Sequence, residues 1–222
     1  LNEISEPPFS VYFKNQNHYV LCSSPERYLR NENGKIISQP IKGTSKRFEN
    51  FEEDEKSKNN LQQNEKERSE NIMIVDLVRN DLSRTAEKSS VKVEELCEVY
   101  SFKQVHHLIS TITSNKNTEN TIIEVIEKSF PMGSMTGAPK ISAMQIIENQ
   151  EETKRGIYSG SIGYFTPNGN FDFNVVIRSI LYNSENKYLS FSVGSAITSK
   201  SNPEQEYEEW LLKSKAMKEL LS

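Results

Sequence analysis

Apolar and polar side chains alternate from Phe9 to Cys22, with Phe9, Val11 and Phe13 before a polar break at Lys14 to His18, and Tyr19, Val20 and Leu21 after it. A period of two is that of a half-buried strand, so the stretch predicts a β-hairpin, and Gly34-Lys35 punctuates a second one. From Glu49 to about Asn71 the chain is dense in Glu, Lys, Asn and Gln, the composition of a disordered connector or of a solvated helix face, and disorder is expected near 50–60. Ile72, Val75, Leu77, Val78 and Leu82 then recur at helical spacing, predicting a helix from about 60 to 84 that packs inward near its end.

Val91 to Val105 predicts a short strand, a Glu-rich turn and another strand. Helices are expected over Thr121–Ser129, stopping before Pro131, and over Ile141–Gln150. Strands are expected at Ile157–Thr166 and Phe171–Tyr182, joined by an Asn168-Gly169 turn, and at Tyr188–Thr198. Pro203 opens a closing helix to Leu221 with Trp210, Leu211, Met217 and Leu220 on its apolar side. Because most strands are joined by short turns rather than crossover helices, the pattern predicts an α+β, mainly antiparallel fold.

Composition narrows the function classes. At 222 residues and 35% hydrophobic the chain can bury a core of its own, as one large domain or at most two. A net charge of −4 and a pI near 5.6 give no general attraction to nucleic acid. No apolar run approaches the ~20 residues that span a bilayer, so no membrane association is expected. Cys22 and Cys97 are far apart in sequence and suggest neither a disulfide framework nor a cysteine metal site, which points to the cytoplasm. The chain opens at Leu1, without Met, and enters a strand almost at once, which suggests a piece of a longer chain.

Candidate chemistry begins at Gln39-Pro40-Ile41-Lys42-Gly43-Thr44. Pro40 fixes its own φ and biases Gln39 toward an extended form, while Gly43 permits backbone geometry closed to other residues, so Lys42 is aimed by its neighbours. Glu67 with Glu70, and Glu206 with Glu209, are Glu-x-x-Glu pairs whose spacing puts both carboxylates on one helix face. Such pairs suit a hard divalent cation such as Mg²⁺, and solvated helix faces carry them too. Lys213, one turn after Glu209, adds a cation to that face.

The stretch from Gly133 to Lys140 invites comparison with a phosphate-binding loop and fails it. Lys140 is not directly after the second glycine, no Ser or Thr directly follows Lys140, and Pro139 removes an N–H donor. His106 and His107 have no nucleophile turn nearby, and Arg178 ends an apolar strand where it needs a carboxylate, from a ligand or a salt bridge.

Taken in order, SPER at 24–27, PIKGT at 40–44, KERSENIMIVDLVRND at 66–81, VHHLIS at 105–110, FPMGSMTGAPK at 130–140, RGIYSGSIGY at 155–164, VVIRS at 175–179 and the Glu-x-x-Glu at 206–209 resemble the chorismate-utilising enzyme family. The resemblance covers nearly the whole chain. It implies antiparallel sheets packed as a sandwich with flanking helices, of which residues 1–222 would form the C-terminal, chorismate-binding catalytic part. Members that make anthranilate usually carry alanine at the position of Lys42, whereas members that aminate chorismate at C4 carry lysine.

The resemblance therefore implies Mg²⁺-dependent amination of chorismate at C4, on the way to 4-aminobenzoate and folate. Ammonia would come from a separate glutamine amidotransferase subunit, and anthranilate formation or a non-catalytic ligand-binding remnant are the alternatives. Lys42 is implied as nucleophile and Glu26 as acid/base catalyst. Glu70 and Glu209 are implied as Mg²⁺ ligands, with Glu67 and Glu206 behind them. Gly43, Thr44, His107, Thr136, Tyr158, Arg178, Gly194 and Lys213 are implied to line the substrate pocket. The chain departs from the family pattern at Val193-Gly194-Ser195-Ala196, at Ser179 and at Lys200.

Overall fold

The computed structural model describes residues 7–103, 105–199 and 201–221, so Leu1 and Lys200 lie outside the described residues. Strands β1 (Phe9–Asn15), β2 (His18–Ser24), β3 (Arg27–Glu32), β4 (Lys35–Gln39) and β5 (Ile41–Lys46) are followed by helices α1 (Phe51–Gln63) and α2 (Glu65–Ser83). Next come β6 (Lys92–Ser101), β7 (Val105–Asn115), α3 (Ile122–Ser129), a 3-10 turn at Gly133–Met135 and α4 (Lys140–Gln150). The chain closes with β8 (Gly163–Phe165), β9 (Phe171–Asn174), β10 (Ser179–Asn183), β11 (Tyr188–Phe191) and α5 (Pro203–Leu221). Every strand pairing is antiparallel, as the turn-rich pattern predicts.

These elements form two compact units. One comprises the chain up to Pro25, Arg155–Ile162 and the chain from Val175 onward; the other comprises Glu26–Lys154 and Gly163–Asn174.

The larger unit is built on a seven-stranded sheet in which β7 pairs with three other strands. β4 and β5 pair end to end along one edge of β7, and β6 pairs along the other. Almost all of β7 is buried, which explains the long apolar and small-polar run that forms it. Ile74, Val75, Val78 and Leu82 bury the inner face of α2, and Leu61 of α1 joins Cys97 and Leu108 in one apolar cluster.

The predicted disorder over 50–60 is replaced by α1. The Asn50 side chain caps this helix by accepting from the Glu52 and Glu53 N–H groups, and Glu52, Glu53 and Asp54 occupy the first turn, where the helix dipole favours acids. Asp54 then accepts from Arg47 Nε at 2.9 Å and from the Phe48 N–H at 2.9 Å, and lies 3.1 Å from His106 Nε2. Charge density therefore reflects anchoring to the sheet. The Glu-rich turn expected within 91–105 is likewise part of one bulged strand, β6. Its Glu94 and Glu95 accept from the Thr113 and Thr111 hydroxyls, and the Cys97 N–H at the bulge finds the Ser110 hydroxyl at 2.9 Å.

The smaller unit carries a four-stranded sheet in the order β1-β2-β10-β11. Val20, Cys22 and Val176 form its apolar centre, with Val11, Ile162 and Leu181 against them. The strands expected over 157–166, 171–182 and 188–198 are shorter or interrupted. Arg178 takes a left-handed φ of 52° immediately before β10, and β11 stops at Phe191. On α5, Met217 is buried, Trp210 and Leu211 are half-buried, and Leu220 is exposed.

Candidate active site

Glu26 leaves the end of β2 and enters the larger unit just before β3. Its side chain is 5% exposed. Burial pushes its carboxyl up to about 7, opposed by a hydrogen bond from the Ser134 side chain, the nearby Lys42 charge and the Ile41 N–H. A carboxyl tuned to neutrality beside a lysine suits proton transfer at physiological pH.

Lys42 sits on β5, with Pro40 joining β4 to β5. Gly43 has a φ of +96° and falls where the register between β5 and β7 shifts, so the glycine makes a bulge that only a residue without Cβ fits comfortably. A Cβ there would lie 3.1 Å from Leu108 Cβ and 3.2 Å from both Cβ and Oε2 of Glu67. The first turns of α2 therefore pack directly over the lysine strand. Buried Asn71 ties them together, donating to the Lys42 carbonyl at 3.5 Å and to the Leu108 carbonyl at 3.2 Å.

Glu67 and Glu70 follow from the start of α2, where the Asn64 side chain accepts from the Glu67 N–H. Glu70 is largely buried, with Lys66 Nζ 3.9 Å away. On the neighbouring strands Thr44 Oγ1 and His107 Nδ1 are 3.0 Å apart, and the His107 ring meets Phe102 edge-on at 5.4 Å. Thr136 closes the 3-10 turn by donating to the Met132 and Gly133 carbonyls. His106 points away into the Asp54 anchor.

The smaller unit gathers the other predicted residues. Tyr158 Oη lies 2.8 Å from where a Cβ on Gly194 would stand, so the glycine permits that contact. Burial pulls the Arg178 guanidinium below its ordinary range, while the charges of Tyr158 and Glu209 favour its cationic form. Lys213 donates to the Gly194 carbonyl at 3.2 Å and pairs with Glu209. Buried Glu206, expected behind the Mg²⁺ ligands, accepts from Ser195, one of the residues at which the chain departs from the family pattern.

Each unit thus offers one pair of carboxylates a helical turn apart. Among the described residues no three His, Cys, Asp or Glu side chains are grouped as a metal cage. Mg²⁺ is commonly held by one or two carboxylates with water and substrate oxygens completing its shell, and this donor chemistry fits it.

Sequence reasoning missed Ser134 and Asn71. Ser134 lies inside a glycine-rich stretch where the resemblance singles out Thr136 instead, and a polar residue on a helix such as Asn71 gives no signal that it will reach back to a strand carbonyl.

Residues 1–219 match the family described as chorismate binding enzyme. The chain belongs to this family. It is 45% identical to the chloroplastic aminodeoxychorismate synthase of Arabidopsis thaliana, over 97% of this chain and 24% of that protein. Aminodeoxychorismate synthase component 1 of Escherichia coli (strain K12) is 41% identical over 94% of this chain and 46% of its own length. The crystal structure of anthranilate synthase component I from Streptococcus pneumoniae TIGR4 superposes with a TM-score of 0.87 at 32% identity, covering 98% of this chain and 47% of that one. The chain therefore spans about a quarter to a half of the length of these relatives. No helix among the described residues is long and apolar enough to cross a membrane.

Proposed function

We propose that the protein aminates chorismate at C4 to 4-amino-4-deoxychorismate, for 4-aminobenzoate and folate synthesis. The observation that carries this reading is the buried Glu26, with its carboxyl pushed up to about 7 and Lys42 facing it. The relatives named aminodeoxychorismate synthase support the same choice.

In this reading the Lys42 amine bonds to C2 of the ring, both ring double bonds shift one place toward C4, and the C4–oxygen bond breaks. Glu26 delivers its proton to the departing hydroxyl, which leaves as water, and the Glu26 carboxylate takes the proton released from the lysine nitrogen. Ammonia then bonds at C4 as the C2–nitrogen bond breaks, and Glu26 shuttles the proton from the new amine to Lys42. Splitting one displacement into two lets each nucleophile attack a conjugated carbon in turn.

Glu70 and Glu209, with Glu67 and Glu206 behind them, are the proposed carboxylates for Mg²⁺. When bound, the ion neutralises the ring carboxylate of chorismate. Arg178 and Tyr158 are proposed to hold the enolpyruvyl carboxylate, with Gly194, Lys213, Gly43, Thr44, His107 and Thr136 around the substrate. Ammonia is proposed to come from a glutamine amidotransferase partner. Cys22 and Cys97 are buried and form no disulfide, in keeping with the proposed cytoplasmic location.

The test is product identity for the full-length protein given chorismate, Mg²⁺ and ammonium. A product that yields 4-aminobenzoate only after a lyase is added is expected. Anthranilate fluorescence without lyase would overturn the proposal.

A further inference from the structure

The stretch from Gly133 to Lys140 binds no phosphate in the reading above, yet it is among the most firmly anchored polar segments of the larger unit. Lys140 Nζ donates to Asp81 Oδ2 at 2.5 Å, to the Pro131 carbonyl at 2.7 Å and to the Ser129 carbonyl at 3.0 Å. An ammonium has three protons, and all three are used. The Lys140 and Asp81 side chains are 12% and 5% exposed, so the pair is sheltered from solvent screening. Asp81 belongs to α2, and the two carbonyls lie in the segment leading into the 3-10 turn, so one cation fastens that segment to the helix.

Gly133 supplies the second fastening. A Cβ there would fall 2.8 Å from Leu77 Cδ2 and 3.0 Å from Leu77 Cγ, so the turn approaches α2 more closely than any other residue would allow. The Thr136 hydroxyl, bonded to the Met132 and Gly133 carbonyls, closes the turn on itself. From this frame the Ser134 hydroxyl hydrogen-bonds Glu26.

We propose that Ser134 is a positioning residue for Glu26, and that Lys140, Asp81 and Gly133 form the frame that presents it. The serine donates to the ionised carboxylate, so it stabilises Glu26 after its proton has been given up and fixes where the carboxyl points. Lys42 and the Ile41 N–H face the same carboxyl from β5, so turn and lysine strand approach one acid from two elements. The catalytic meaning of this arrangement rests on the acid role proposed for Glu26. Its structural content does not.

The experiment follows the Glu26 carboxyl in the full-length protein without chorismate, by difference infrared titration referenced to Glu26→Gln. Ser134→Ala is expected to raise the midpoint by about one pH unit, the size expected for a lost hydrogen bond to a charged group, and Ser134→Thr to restore it. Lys140→Met, or Lys140→Arg should that variant not fold, is expected to shift the midpoint in the same direction with Ser134 intact. An unchanged midpoint in folded Ser134→Ala overturns the proposal. A shift there with none in the Lys140 variants overturns the frame. If the midpoints move as expected but no amination is found, the functional reading fails and this one stands.

Discussion

At the scale of single residues, Glu26 shows how the acid role proposed for it opposes stability. Burial outweighs three favourable partners and leaves its carboxyl at about 7 against an ordinary 4.5. The native state therefore holds a proton that the unfolded chain releases, and it loses stability as pH rises from 4.5 through about 7. Glu26→Gln is uncharged throughout, so it is expected to match the wild type in denaturant melts at about pH 4 and to exceed it by up to ~3 kcal/mol above about pH 8. Equal stability at high pH would contradict the buried acid. Gly43→Ala acts in the opposite direction. With a φ of +96° and contacts of 3.1 to 3.2 Å awaiting a Cβ, it is expected to destabilise the protein by about 1–3 kcal/mol in urea unfolding. Lys42 stands out in the sequence through Pro40 and Gly43, whereas Glu26 is marked only by the family resemblance of Ser24-Pro25-Glu26-Arg27. Ser134 is not legible in either way, because a hydroxyl gains its role only from the acid that folding places opposite it.

At the scale of elements, periodicity found the hairpin of β1 and β2, the helix α2 and the capped α3 with little error. Thr121 and Glu124 form a full capping box, a signal carried by four consecutive residues. It failed where long-range polar contacts decide the structure, as in α1, which reads as a solvated connector and is held by Asp54. Arg47 leads the groups that keep the Asp54 carboxyl at about 2 against an ordinary 3.8. The stability this contributes is complete above 3.8 and lost as pH falls through about 2. Asp54→Asn is expected to raise amide exchange across 51–63 by about tenfold at neutral pH while leaving α2 protected. Unchanged exchange across 51–63 would mean that apolar packing of Leu61 alone holds the helix.

At the scale of the whole molecule, the described residues divide into two units, each with its own antiparallel sheet and its own set of candidate residues. Lys42, Glu26, Glu67 and Glu70 belong to one, and Tyr158, Arg178, Glu206, Glu209 and Lys213 to the other. Chain order hides this division, since the segment from Arg155 to Ile162 returns to the unit begun by β1 and β2, and no composition change marks the crossing. The alternating strands made the antiparallel class legible, whereas the partition depends on which distant strands pair. Because the chain spans less than half the length of the relatives compared, activity belongs to experiments on the full-length protein. The most direct is the rate of 4-amino-4-deoxychorismate formation by Lys42→Ala at saturating ammonium and Mg²⁺. A loss of about a thousandfold or more, with the variant still folded and still binding chorismate, is the predicted result. Retention of the wild-type rate would contradict a nucleophilic Lys42.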